Sequence, residues 1–447
     1  MVPDRLPVET LCMDQHAFMG SREKTDTMEA LPSLVLGNVT LPSGRVADIT
    51  LDDGRVAHAG ARRMNAAHID CTGLLVLPAA IDMHVHMRGG VQSAKEDWRS
   101  GSMSAIAGGV TVVVDQPNTV PPITSPETLH DRVRDALKNS HCSFAVNSGV
   151  MPDTPLENMW QEGALAFGEA FFASSSYGDA LSDAALRPAL ERIHALGALA
   201  TIHAETIGEG EDTDLTLHNH VRSPDGELNA VKAVSRLNAG GCRIHFCHLS
   251  TKRSIDAAAG SVEVTPHHLF LSLEDFDSTD PFGKVNPPLR TEKERKQLWG
   301  RWERIDVIAS DHAPHTREEK EQAFSAAPSG ICGLETMVPL LLGRVIDGKI
   351  SLQSVIEKTS YKPAEILGLP RAGFSVGDRA DFALYKKIPT PVMPEILHSK
   401  CGWTPFEGHL ALFPTTVIRG GKVVYRDGEF FKGEPTWFSG RGYRKTL

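Results

Sequence analysis

The pattern of apolar and polar positions changes period twice along the chain. Over residues 32–78, short apolar runs at 33–36, 45–51 and 55–59 are broken by Ser43-Gly44 and Asp52-Asp53-Gly54, which predicts strands joined by tight turns. From residue 79 to about 365 the pattern alternates. Apolar strand candidates fall at 80–86, 111–115, 143–149, 165–172, 199–204, 243–248, 262–266 and 305–310. Helical stretches lie between most of them. The clearest carries Leu181, Leu186, Leu190, Ile193 and Leu196, close to the spacing of a buried helix face. The tail, 374–440, returns to β character at 381–385, 416–418 and 423–425. Residues 1–31 show no period and read as a loose extension. Eight strands alternating with helices predict a (β/α)8 barrel of the TIM type. A doubly wound open sheet fits the alternation too, but no Gly-x-Gly-x-x-Gly follows the first strand.

Composition narrows the class. At 447 residues the chain exceeds one typical domain, and 41% hydrophobic with 23% charged residues is ordinary for a soluble globular protein. A net charge of −10 gives no reason to expect nucleic acid or a membrane surface as a partner. No apolar run reaches the roughly 18 residues of a membrane span. The first 31 residues carry Asp4, Arg5, Glu9, Asp14 and Arg22 and no apolar core, so a secretory signal is not expected. Seven scattered cysteines suggest reduced thiols and a cytoplasmic protein, with Cys242 and Cys247 packing beside a strand.

Candidate chemistry sits at the predicted strand ends. His84 and His86 close the first strand, and residues two apart on a strand share a face. His203 closes the 199–204 strand, His248 the 243–248 strand, and Asp311 follows the 305–310 strand. Any one histidine fits a hydrogen-bonded core position equally well. Five such residues in register, at the end of a barrel where chemistry is placed, point instead to a divalent metal such as Zn.

The longer motifs are Asp-Met-His-Val-His-Met-Arg (82–88), Gln-Pro-Asn-Thr (116–119), His-Ala-Glu (203–205), His-Leu-Ser-Thr (248–251), Val-Thr-Pro-His-His-Leu (264–269), Lys-Val-Asn-Pro-Pro-Leu-Arg (284–290), Ser-Asp-His-Ala-Pro-His (310–315), Gly-Leu-Glu-Thr (333–336) and Trp-Thr-Pro-Phe-Glu-Gly (403–408). In content and order, over about residues 32–440, they resemble the amidohydrolase superfamily, and within it the dihydroorotases. The resemblance implies a barrel over 79–373 flanked by one composite β-sandwich built from 32–78 and 374–440. It implies metal-dependent opening and closing of a cyclic amide, linking N-carbamoyl-L-aspartate and dihydroorotate in pyrimidine biosynthesis. It implies two Zn ions on His84, His86, His203, His248 and Asp311, with Asp311 as general base and then acid. Arg88 and Asn118 match the family's substrate-carboxylate contacts, and an arginine fork suits a carboxylate. His315 and Asn286 match further substrate contacts. The expected partner is the small-molecule substrate alone, in a homodimer.

One departure stands out. Many relatives carry a carboxylated lysine at the end of the fourth strand, whereas no lysine lies between 139 and 231 here. Glu169 occupies the matching place, offering one negative charge through two oxygens at shorter reach. It is expected to bridge the two metals. Two other readings share the barrel: a hydantoinase or allantoinase, which needs no carboxylate clamp, and a non-catalytic scaffold.

Overall fold

A computed structural model describes residues 33–59, 66–172 and 181–444. The extension expected over 1–31 lies outside them. Eight parallel strands lie in the middle of the chain, and we number them in order: β1 (Ala80–Val85), β2 (Val110–Asp115), β3 (Ser143–Val146), β4 (Phe167–Phe171), β5 (Leu199–His203), β6 (Arg243–Phe246), β7 (Ser261–Val264) and β8 (Val307–Ile308). Each coincides with a strand expected from sequence. Strands β1 to β3 form one ladder and β4 to β8 another. Single parallel bridges, Ser148 to Phe167 and Val85 to His312, close the ring. The alternating pattern is therefore a closed barrel. Runs such as Val112-Val113-Val114 are buried throughout, as strands covered on both faces require.

The expected amphipathic segment near 181–196 is the helix Asp183–Ala195, which buries Leu186, Leu190 and Ile193. Helix Trp98–Ala107 starts on Asp97, whose side chain accepts from Ser100 N–H, and Pro126–Asn139 starts on Ser125 in the same way.

The flanking segments join into one nine-stranded sheet. Its seam is the antiparallel pair Leu75–Pro78 and Phe382–Tyr385, which ties the segment before the barrel to the segment after it. Side-chain parity divides that sheet's work. Leu75, Leu77, Ala383 and Tyr385 belong to the barrel's core cluster. Val76, Phe382 and Leu384 face the other way, into a second cluster with Leu36, Ile49, Leu51 and Ile418. Among the described residues, the short strands Ala67–Asp70, Leu75–Pro78 and Glu429–Phe430, and a two-stranded ribbon of Thr390–Pro391 with Leu410–Ala411, have no counterpart among the strands expected from sequence.

Phe382 is fully buried and stacks on Phe374 at 5.3 Å between centroids. Phe382→Ala should destabilise the protein by about 3–5 kcal/mol through lost transfer and cavity terms. Denaturant midpoints check this, and turnover of the fraction that remains folded should be near normal, because the sheet cluster lies apart from the barrel mouth.

Candidate metal and substrate site

The residues expected to act together are gathered at the C-terminal ends of the strands. His84 ends β1, and its Nδ1 donates to Glu263 Oε1 on β7 at 3.0 Å. That fixes the tautomer and turns Nε2 inward, where it lies 3.5 Å from Glu169 Oε2 and 3.4 Å from Asp311 Oδ1. His86 donates from Nδ1 to Asn118 Oδ1 at 2.6 Å and presents Nε2 to Asp311 Oδ1 at 3.0 Å. His203 donates from Nε2 to Glu205 Oε2 at 3.0 Å and presents Nδ1 to Glu169 Oε1 at 2.9 Å. His248 Nε2 reaches that same Glu169 oxygen at 2.7 Å. Four histidines thus each aim one ring nitrogen at two carboxylates. Three are held from behind by an acceptor on the other nitrogen, the arrangement that orients metal-binding imidazoles.

The backbone is bent to make this arrangement. Arg88, His248 and Asp311 adopt φ of 46°, 35° and 44°, in the left-handed region that side chains other than glycine rarely occupy. Each turn is pinned. Arg132 donates from Nη1 to Arg88 O, while its Nε donates to Asp115 Oδ2 at 2.7 Å. His248 N–H donates to Glu263 Oε1 at 3.0 Å. Asp82 Oδ1 accepts from Ser310 N–H at 3.1 Å, just before Asp311. Before Glu169 stands Gly168 at φ 130°, where any Cβ would overlap Thr201 O.

Charge is dense and buried. Burial alone would push the His84 imidazole down, yet Glu263, Glu169 and Asp311 outweigh it and hold His84 well above the usual histidine range. Burial likewise raises Glu169, but His84, His203 and His248 reverse it and hold the carboxyl well below its usual range. Asp311 is lowered against burial by His84, His86 and His248. Among the described residues three donor groups have ligand atoms close enough to share one ion: His84 with His86 and Asp311, His84 with Glu169 and His248, and His84 with Cys247 and Glu263. The buried His84 Nε2 makes no hydrogen bond among the described residues. An imidazole–carboxylate set of this kind fits a divalent cation. Cys247, expected as core packing, is buried and lies beside His84 and Glu263.

The cluster opens into a cavity of about 380 Å³ lined by Arg88, Asn118, Asn286, Asp311 and His315, all expected from sequence. His315 Nδ1 faces the Lys95 ammonium at 3.2 Å, so the ring proton belongs on Nε2, which donates to Ser329 O at 3.1 Å. Burial, then the cations Arg88, Lys95 and Lys320, push His315 down to about 2, so the ring is neutral. Arg88 Nη2 lies 3.4 Å from that same Nε2. The Arg88 guanidinium and the His315 ring therefore stand together on one wall of the cavity, where the arginine fork suits an anionic acceptor. Asn118 differs from expectation in one respect: its carbonyl orients His86, and its amide group is what remains for a ligand.

Comparison with known proteins agrees with this geometry. The profile described as the Amidohydrolase family matches residues 75–424. This chain belongs to the amidohydrolase family. A dihydroorotase of Methanosarcina acetivorans is 40% identical over 408 residues, covering 82% of this chain and 86% of that protein. One from Halobacterium salinarum is 41% identical over 384 residues, covering 83% and 90%. Among solved structures, the L-hydantoinase of Arthrobacter aurescens superposes with a TM-score of 0.85 at 26% identity, covering 92% of this chain and all of that one. A dihydropyrimidinase from Brevibacillus agri gives 0.83 at 23% identity, a likeness of fold. As a member of this family the chain is a hydrolase of cyclic amides with a metal-dependent site.

Four residues that matter here do not stand out in the sequence. Glu263 is legible in principle, as a carboxylate inside a buried strand. Glu205 lies within the His-Ala-Glu motif. Arg222 and Lys95 carry no local signal, because loop geometry alone brings them to the cavity. Glu263→Gln removes the charge behind His84 and His248, so metal affinity should fall about 10- to 100-fold with the fold intact. Chelator competition measures the affinity and circular dichroism the fold.

Proposed function

We propose that the chain is a cytoplasmic dihydroorotase, closing N-carbamoyl-L-aspartate to L-dihydroorotate and reopening it in pyrimidine biosynthesis. The reading draws on the dihydroorotase relatives and on one observation above all: the Arg88 guanidinium, with His315 against it, lines the cavity beside the histidine–carboxylate cluster. A ring carboxylate fits that place, and hydantoin and allantoin have none to offer.

In this reading His84, His86 and Asp311 would hold one Zn ion and His203 and His248 a second, with Glu169 offering its carboxylate to both. Glu169 suits the bridging part because one oxygen faces His203 and His248 while the other faces His84. When bound, divalent ions acidify water and polarise a carbonyl. Everything else falls to the chain. Arg88, His315 and the Asn118 amide hold the carboxylate and fix the ring's orientation. Water attacks the ring amide carbonyl as its proton passes to Asp311. The C–N bond then breaks, and Asp311 returns the proton to the leaving nitrogen. Ring closure is the same path reversed. Asn286, whose Oδ1 is buried without a partner among the described residues, offers an acceptor to a ring N–H. No helix among the described residues is long and apolar enough to cross a membrane.

The fold likeness to an L-hydantoinase keeps a second reading in the test. Zn-loaded protein should open dihydroorotate and leave hydantoin and allantoin intact. Activity on hydantoin alone would favour the second reading, and inactivity on all three a scaffold. Arg88→Met should then lower kcat/KM for dihydroorotate roughly ten- to hundredfold, mainly through KM, because a charge-assisted bond contributes about 1.5–3 kcal/mol. Unchanged KM would remove the clamp.

Glu169 carries a permanent carboxylate, where a lysine carbamate needs CO2 to form. Metal-stripped protein should therefore recover full activity with Zn alone in bicarbonate-free buffer, and Glu169→Ala should lose bound metal. A bicarbonate requirement, or normal metal stoichiometry in Glu169→Ala, would count against bridging.

A further inference from the structure

Arg222 is a cavity residue with a job left over. It follows the helix Leu215–Val221, beyond β5, and lines the same cavity as Arg88. Strands β1 and β5 stand four apart in an eight-stranded ring, so the two arginines approach the cavity from opposite sides of the barrel. Arg222 Nη1 donates to Glu205 Oε2, the oxygen that also accepts from His203 Nε2 at 3.0 Å. Glu205 is fully buried, with His203 and Arg222 both paired to the same carboxylate oxygen. Arg290 Nη1 donates to Arg222 O at 2.7 Å and to the Asn219 side chain, which fixes the residue's backbone. A guanidinium has five N–H donors in a rigid fork. Only Nη1 is engaged by a side chain among the described residues, so donors remain for the cavity.

Resting on the dihydroorotase reading, we propose that Arg222 is a second substrate-binding arginine that recognises the ureide oxygen, the carbonyl flanked by two nitrogens. The carboxylate end of the substrate is taken by the Arg88 side. The acceptor left at the other end, in ring and open chain alike, is that oxygen. A neutral oxygen suits Arg222 because Glu205 already balances its charge. The same Glu205 oxygen holds His203, so a contact made at Arg222 is passed by one carboxylate to a metal-binding imidazole.

The test uses Zn-loaded protein and two variants. Arg222→Lys keeps the positive charge beside Glu205 but loses the fork, and Arg222→Met loses both. Arg222→Lys should keep its Zn content and melting temperature while kcat/KM for dihydroorotate falls about tenfold or more, chiefly through KM. Arg222→Met should fall further and also lose Zn affinity. Succinate supplies the discriminating control, since it keeps both carboxylates and lacks the ureido group. Its inhibition constant should match wild type in Arg222→Lys, while binding of N-carbamoyl-L-aspartate weakens. A wild-type KM in Arg222→Lys, or equal weakening of succinate and N-carbamoyl-L-aspartate, would overturn the proposal. Should wild-type protein open hydantoin and not dihydroorotate, the same comparison runs on hydantoin, whose ring carries the same ureide carbonyl. The two readings therefore fail separately.

Discussion

The constraint on which the rest depends is that Glu169, Glu263 and Asp311 are buried together at the mouth of one barrel, at 2%, 0% and 5% exposure. Buried carboxylates without counter-charge are costly. The chain surrounds them with His84, His86, His203, His245 and His248 rather than with arginine or lysine. Histidine is the one choice that lets the counter-charge be exchanged. Protonated, it balances the carboxylates itself; neutral, it leaves a lone pair for a cation. The direction in which His84 and Glu169 are shifted shows how strongly the pocket demands positive charge. A divalent ion that meets this demand displaces protons as it binds, so loading should weaken as pH falls.

Holding that cluster accounts for much of the local architecture. Left-handed backbone at a non-glycine residue costs of order 1–3 kcal/mol. Arg88, His248 and Asp311 each occupy it, and at each a buried charged group engages the main chain at the bend: Arg132, Glu263 and Asp82 respectively. None of these three need touch a substrate. They hold directions. Asp115 extends the same pattern, since one of its oxygens accepts from Met87 N–H at 2.9 Å and the other from Arg132. Rigid strands with sharply turned ends explain how side chains from β1, β4, β5 and the segments after β6 and β8 converge without long loops.

What is legible in the sequence follows from the same physics. Strands buried on both faces leave unbroken apolar runs, so all eight barrel strands can be read from the chain. Strand parity alone puts His84 and His86 on one face. The substitution of Glu169 for lysine is visible as an absence over some ninety positions. Supporting residues are harder. Glu205 and Arg222 are 17 apart in sequence and meet only because the helix Leu215–Val221 returns the chain to the barrel mouth. The role of Asn118 on His86 is hidden for a different reason: an amide has two ends, and sequence does not say which faces the histidine. The resemblance implies one composite β-sandwich from 32–78 and 374–440, and these segments do join into one nine-stranded sheet, but its seam at Leu75–Pro78 and Phe382–Tyr385 joins parts of the chain about three hundred residues apart, and no local pattern encodes that register.

The two sides of the cavity are electrostatic opposites, and this is what lets one barrel be both a general catalyst and a selective one. On the cluster side, negative charge exceeds what neutral imidazoles can balance, which calls for cations. On the other side, Arg88, Lys95 and His315 gather with Glu319 as the nearby carboxylate, at 2.9 Å from Lys95 and 3.4 Å from His315. Burial first, and then the cations Arg88, Lys95 and Lys320, disfavour a further positive charge on His315 there. In the proposed reading a dianionic open-chain substrate would complete both halves at once, one carboxylate at the Arg88 wall and the reacting one at the histidine–carboxylate cluster. A neutral cyclic ureide completes neither the Arg88 fork nor the local charge. The chemistry of ring opening thus belongs to the strand ends that the family shares, while the choice of ring rests on whether the far wall calls for an anion.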